Sequence, residues 1–415
     1  MTGSVGQLQR QTLPDSWQAR YEGHMKAIAL GILVVAACSS GNQPAGPDGG
    51  GLLADASSTA PIDAAVSEEL DASVAGFCNG SGQCDDGDSC TMDMCESGIC
   101  MHYSDSVCSW PAETGSESTN LTEVGGSIQC FFGYPVAEND LSQNLSGAVW
   151  NPVSQTLWMV KNNDPTLFAV VQEDGEYEYA EKDGVPASWE IPGMGDVEGI
   201  TQVDFADTDI VYTMDERNGT IRRIDATDFS NPHQTGKWGP LPGLGGAGAE
   251  GLTFVPDTFL TAQGFVDRDG DAYTSTKGMG GLMFVGHQAG GHLYVYDLNP
   301  LDNQDYVYVG KYSTGGAETA GLEFDRSTGV LYIWHDSSID QLEVVSLAST
   351  ATAGGRVMNT IATYAGPDLS LEMAQNMEGI ALGPVDECVD GKRRFWMLTD
   401  GGGCFSLSLY EDFPC

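Results

Sequence analysis

The sequence predicts an all-β chain organised as a five-bladed β-propeller, and three observations carry that expectation. A small or acidic residue, then Gly, then an apolar strand recurs at Ser146-Gly147, Glu198-Gly199, Glu250-Gly251, Ala320-Gly321 and Glu378-Gly379. The glycines are 52, 52, 70 and 58 residues apart (147→199→251→321→379). A period of about 50 marks a supersecondary unit that cannot bury its own faces and must stack on its neighbours. Short runs rich in Val, Thr, Tyr and Trp separated by turn residues, together with 54 Gly, complete the β-rich picture.

In chain order, Lys26 precedes an apolar run over 27–37 that ends at Cys38. The run is too short to span a bilayer and has the shape of a secretory signal core. Met25 reads as the biological start. The VVAAC ending resembles a bacterial lipoprotein signal, which implies lipidation of Cys38. Ser39 after it implies sorting to the outer membrane, and an ordinary cleaved signal is the alternative. Residues 39–77 hold no Lys or Arg and only Phe77 as an aromatic. Such a segment cannot offset its chain entropy by burial, so it reads as a tether.

Eleven cysteines divide as one, six and four. Cys78, Cys84, Cys90, Cys95, Cys100 and Cys108 crowd into residues 78–108, a module too small for a core of its own and dependent on disulfides. CDDGDSCTMDMC resembles the short C-T-x-D-x-C repeats of extracellular proteins, implying a spacer or adhesive element. Cys130, Cys388, Cys404 and Cys415 are spread over the repeats. We expect Cys130 with Cys415 and Cys388 with Cys404. No C-x-x-C pair is present, so zinc-ribbon and thioredoxin readings have no support.

The propeller is expected over 127–415, after an upstream segment and signal at 1–38, the linker at 39–77 and the module at 78–108. Each unit reads as strands A to D. The B strands are 156–164, 209–218, 282–288, 331–336 and 394–400. The C strands are 166–171, 220–225, 292–298, 341–347 and 404–410. The D strands are 188–193, 236–243, 306–312 and 357–366. The fifth unit stops after C, and SIQCFFGYPV (127–136) is expected to close the ring as its missing strand, removing two open edges. The long 251→321 gap holds an insertion at 257–280. There Asp267, Asp269 and Asp271 match the opening of an EF-type loop. Ala272 and Gly278 stand where Gly and Glu are needed, so an acidic surface turn is the better reading.

A net charge of −42 with 17 Lys+Arg excludes nucleic-acid binding and electrostatic adhesion to anionic lipid, and favours cations. In an up-and-down blade, the start of strand A and the end of strand B share one rim. That rim should collect Ser146, Glu198, Glu250, Ala320 and Glu378, with Asn162, Asn163, Asp164, Asp215, Glu216, His287, His335, Asp336 and Asp400. Three converging glutamates must be protonated, paired with a base or bridged by a cation. Lys161 and Arg217 are too few to serve them all. Oxygen-only ligands favour Ca²⁺, and a water-filled acidic channel with one Arg pair is the alternative.

The order Ser-Gly, Glu-Gly, Glu-Gly, small-Gly, Glu-Gly, with MDERN closing the second B strand, resembles the SdiA-regulated family. The resemblance covers roughly 127–412. It implies a five-bladed envelope propeller, distantly similar to NHL-repeat proteins, with a calcium site. Carried over by position, Glu198, Glu250 and Glu378 are the ligands, with Glu216 and Asp400 as auxiliaries. The chain departs from the family at Ala320 (usually Ser), at His287-Gln288 (commonly acidic) and at Asp400 (usually Glu). The family brings no firm activity. The primary expectation is therefore a lipid-anchored binding or scaffold module at the outer membrane, taking an unidentified protein or small-molecule ligand. The alternative is a Ca²⁺-dependent hydrolase, lactonase-, esterase- or phytase-like, with His287 or His335 as general base. No G-x-S-x-G motif is present.

Overall fold

The computed structural model describes Cys84, residues 90–96, 99–104 and 107–112, then 130–131 and 134–135. It continues over 144–415 except 163–164, 174–175, 192, 245–247, 337–339, 368–375 and 401–406. The signal, Cys38, the tether, Cys78, Cys404, Asn163 and Asp164 lie outside the described residues. No helix among the described residues is long and apolar enough to cross a membrane.

In the cysteine-rich segment, β1 (Thr91–Glu96) and β2 (Ile99–Ser104) form a hairpin with Cys95 opposite Cys100. Disulfides join Cys84 to Cys100 and Cys90 to Cys108, and Cys95 is also disulfide-bonded. Among the described residues the two strands have no sheet partner beyond each other, so these cross-links do what a core does elsewhere. Farther on, β3 (Cys130–Phe131) pairs with β4 (Tyr134–Pro135).

The rest of the chain is a β-propeller made of successive antiparallel meanders. The first comprises β5 (Leu145–Asn151), β6 (Thr156–Lys161) and β7 (Thr166–Glu173). The outer edge of β7 is shared by β8 (Glu176–Tyr179) and, after the small hairpin of β9 (Glu181–Lys182) and β10 (Val185–Pro186), by β11 (Ser188–Glu190). The second is β12 (Val197–Thr201), β13 (Ile210–Asp215), β14 (Thr220–Asp225) and β15 (His233–Trp238). The third runs from β16 (Ala249–Pro256) through helix α1 (Asp257–Ala262) to β17 (Gly281–His287), β18 (His292–Leu298) and β19 (Tyr306–Ser313). The fourth is β20 (Leu322–Asp325), β21 (Val330–His335), β22 (Gln341–Thr352) and β23 (Gly355–Ala365). The last is β24 (Met377–Leu382), β25 (Lys392–Thr399) and β26 (Leu407–Pro414). The long β22–β23 hairpin reaches the previous meander, where β23 pairs in parallel with β19 and fuses the two into one eight-stranded sheet.

The inner strands touch in the order β5, β12, β16, β20, β24 and back to β5. The core follows the same cycle. One apolar layer lies between the first and second meanders (Val149, Trp158, Ile200, Val211), and others follow between each successive pair. The final layer joins last to first, with Trp150 stacked on Trp396 at 4.8 Å and Trp396 Nε1 donating to Tyr177. Strands buried on both faces explain the continuous apolar runs in the sequence. Glycine recurs because backbone meets backbone at the axis. A Cβ on Gly147 would lie 2.3 Å from Glu198 O, and one on Gly379 2.2 Å from Ser146 O.

Closure differs from the sequence expectation. The three-stranded sheet β24–β25–β26 gains no strand from 127–136 among the described residues, because β3 turns back on β4 after two residues. Pro135 has no N–H to extend a ladder. The layer uniting Trp150 with Trp396 joins the ends of the ring instead. The segment after the cysteine module packs nearby. Cys108 bridges to Tyr364 on β23, and Trp110 lies edge-on to Phe395 and Tyr410.

The expected Cys130–Cys415 and Cys388–Cys404 pairs are corrected to Cys388–Cys415. The β25–β26 register places Pro414 opposite Lys392, and Cys415 N–H donates to Gly391 O, so the chain end arrives beside Cys388. This bond closes a separation of 27 residues, for which chain entropy suggests about 3.5 kcal/mol. A Cys388→Ser/Cys415→Ser chain is expected to melt several degrees lower in a thermal scan under oxidising conditions. Identical melting of the two chains would show that the bond only decorates an already closed hairpin.

Candidate metal centre

The repeated acidic residues sit in β-bulges. The inner-to-second strand register slips between Val197 and Ile200, between Ala249 and Leu252, and between Met377 and Gly379. Ser146 lies in the matching slip between Leu145 and Gly147. A bulge re-aims a side chain that alternation would otherwise commit to an inter-sheet layer. Here it turns Ser146, Glu198 and Glu378 towards the axis. Ser146, Glu198 and Glu378 line one small cavity there, and the Ser146 hydroxyl donates to Glu198.

Two more acids come from neighbouring loops. Asp196, Glu198 and Glu216 each present a ligand atom, all within 4.8 Å of one another. The loop is fixed by Glu216 N–H donating to Asp196 O at 3.0 Å, and Gly248 N–H donates to the Glu216 carboxylate. On the opposite flank, Asn376 Nδ2 donates to Glu378 Oε1 at 2.6 Å and to Asp400 Oδ2 at 3.1 Å. Glu378 Oε2 is buried without a hydrogen-bond partner.

Burial, above all, lifts the carboxyls of Glu198, Glu250 and Glu378 well above their ordinary range. Mutual repulsion adds to it. Glu198 feels Asp196, Glu216 and Asp400, while Glu250 feels Glu198, Glu216 and Glu318. Glu378 feels Glu198, Asp400 and Glu250. Glu216 and Asp400 are raised by burial too, against hydrogen bonds from Gly248 and Asn376 respectively. Arg217 supplies one ion pair to the group, 3.7 Å from Asp196. The cluster therefore gathers carboxyl groups in a partly desolvated space where they resist ionising together, and it is built from oxygen donors alone.

Of the sequence-predicted acids, the structure sets Glu198 and Glu216 within ligand distance, together with Asp196, while Glu250, Glu378 and Asp400 interact with this group electrostatically. Asp196 was missed by sequence reasoning. It stands two residues before Glu198 in GDVEG, just ahead of the strand. Asp215, by contrast, turns away into a buried pair with Arg222 at 2.6 Å.

The histidines are differently placed. His335 has both ring nitrogens engaged, Nε2 with Glu343 at 2.9 Å and Nδ1 with Glu318 O at 2.6 Å. It is a buried structural residue rather than a free base. His287 lies against Gly248 and takes Ala289 N–H on Nδ1 at 3.0 Å, and burial lowers its pKa. The 267–271 loop closes on itself, with Asp267 Oδ1 accepting from the N–H groups of Asp269, Gly270 and Asp271 at 2.9–3.0 Å.

No family model and no curated protein matches the chain. Solved structures similar to it are propeller-like. Glutaminyl cyclase of Myxococcus xanthus is 14% identical, covering 67% of this chain and 94% of its own, with a TM-score of 0.40. The periplasmic gluconolactonase of Pseudomonas aeruginosa is 17% identical over 60% and 59%, with a TM-score of 0.33. The PQQ-bound aldose sugar dehydrogenase of Streptomyces coelicolor is 15% identical over 64% and 77%, with a TM-score of 0.35. Likeness at this level carries nothing about activity.

Proposed function

We propose that residues 127–415 form a five-bladed propeller of the SdiA-regulated type, a binding and scaffold module carrying one Ca²⁺ on its axis. The observation that carries this reading is the meeting of Asp196, Glu198 and Glu216 within 4.8 Å. Glu250, Glu378 and Asp400 interact electrostatically with that group. Several carboxylates with one arginine pair need a divalent charge to coexist ionised. The unpartnered Glu378 Oε2 fits the same need. Ca²⁺ takes 6–8 oxygens in flexible geometry, whereas Mg²⁺ demands a tight octahedron. Donors arriving from separate strands suit the larger ion. In the same reading Cys38 carries a lipid, 39–77 is the tether and the cysteine module stands between tether and propeller, displaying it at the outer membrane.

The binding reading is preferred to the Ca²⁺-dependent hydrolase because His335 is committed to Glu343 and Glu318. His287 already uses Nδ1 for a backbone bond. Thermal melting tests the metal. At 100 times Kd a ligand adds about 2.7 kcal/mol, so EDTA should lower Tm by about 4–5 °C and Ca²⁺ should restore it. An unchanged Tm on both additions would contradict the proposal.

A further inference from the structure

The end of β21 carries a buried pair that the axial acids do not use. His335 and Glu343 are each 1% exposed, and His335 Nε2 lies 2.9 Å from Glu343 Oε2. Across the ring, Nδ1 lies 2.6 Å from the backbone oxygen of Glu318. A carbonyl oxygen and an ionised carboxylate can only accept, and a neutral imidazole has one N–H to give. Both bonds form together only when the ring carries both protons. The carboxylate side is built to match. Gly315 N–H donates to Glu343 Oε2 at 2.8 Å, and Thr360 Oγ1 donates to Oε1. Burial pushes the Glu343 carboxyl up, but the hydrogen bonds from His335, Thr360 and Gly315 outweigh it and hold it below its ordinary range.

The pair also anchors a loop. Residues 314–321 lead from β19 to β20, that is, from the third meander to the fourth. Among the described residues, two hydrogen bonds tie 315–318 to other elements, and both end on this pair: Gly315 N–H to Glu343 and His335 Nδ1 to Glu318 O. The backbone closes over the ring, since a Cβ on Gly316 would lie 2.4 Å from His335 Nδ1. The titratable residues touching His335 are Glu343 on β22 and, through its backbone, Glu318 in the loop. Asp336 and Asp340 stand in the turn between β21 and β22. The acids of β20, Glu323 and Asp325, pair with Tyr332 and Val330 towards the other end of β21. On β24, Glu378 answers to Glu198, Asp400 and Glu250, and β23 brings the Thr360 hydroxyl. The loop matters beyond itself because Glu318 is among the charges acting on Glu250.

We infer that His335 is held as an imidazolium and works as a proton-operated latch on the 314–321 loop. Loss of one proton leaves a ring lone pair facing an acceptor and breaks one of the two bonds, at a buried site where neither partner finds water instead. The latch therefore closes as pH falls and opens as pH rises. It does not depend on an axial cation.

Nitrogen-15 spectra of the full chain labelled at its six histidines test the charged ring. At pH 6 one histidine should show two ring N–H protons that exchange slowly with water, and that signal should vanish in Glu343→Gln. Cleavage after Glu318 by a glutamyl endopeptidase, normalised to a free 312–322 peptide, tests the latch. The parent should be cut at least tenfold faster at pH 9 than at pH 6. Glu343→Gln should be cut at the faster rate at both. If that chain fails to fold, the parent's spectra and pH profile decide alone. A parent with no slowly exchanging pair of ring protons, or with normalised cleavage that does not change with pH, would overturn the inference.

Discussion

A Gly199→Ala chain is expected to fail to close its ring. The new Cβ would lie 2.5 Å from Leu252 N, 2.6 Å from Leu252 Cβ and 2.7 Å from Glu250 O. Two of those atoms are backbone, on a strand held by its neighbours around the whole cycle, so relief requires moving β12 away from β16. Overpacking of this kind costs about 3 kcal/mol or more. Circular dichroism melting should show a Tm at least about 5 °C lower, or the chain should be recovered only from the insoluble fraction. Gly354→Ala is the control: its Cβ meets nothing within 4 Å and its backbone is not left-handed, so the change should stay within about 0.5 kcal/mol.

A Glu378→Gln chain is expected to be more stable than the parent without a cation and less responsive with one. The folded pKa of Glu378 is raised by burial and by Glu198, Asp400 and Glu250, so the native state holds its proton to higher pH than the unfolded chain does. Stability then falls as pH climbs from the ordinary carboxyl value of about 4.3 through neutrality. The same sign holds for Glu198 and Glu250. The parent, freed of divalent ions, should therefore be most stable in mild acid. Glutamine carries no such penalty. Denaturant unfolding in EDTA should find the variant more stable by on the order of 2–3 kcal/mol at pH 8, and near parity at pH 4. Added Ca²⁺ should reverse the ranking at pH 8. A variant that is less stable at pH 8 in EDTA would mean that the carboxyl is satisfied in the native state.

Much of this architecture could be read from residue pattern, and the exceptions have physical causes. Strands Thr220–Asp225, His292–Leu298 and Met377–Leu382 match the expected C and A runs, because tight turns bound unmistakable apolar segments. The outer strand His233–Trp238 begins three residues earlier than expected, since His233, Gln234 and Thr235 are exposed at a sheet edge and carry no apolar signal. Helix α1 went unseen because six residues burying only Leu260 have no readable period. Asp196 was passed over because it lies outside the Glu-Gly motif. His335 looked like a rim base because nothing in WHD reveals Glu343, eight residues away on the next strand. Disulfide partners depend on where the chain end lands, which only the β25–β26 register settles.

The most direct measurement is calorimetric titration of Ca²⁺ into the metal-free chain at pH 6 and pH 8, in buffers of differing ionisation enthalpy. The convergent-carboxylate account predicts one ion per chain, tighter binding at pH 8, proton release that is larger at pH 6, and loss of the signal in Glu198→Gln. Absence of saturable heat at both pH values, or binding that Glu198→Gln leaves intact, would contradict it.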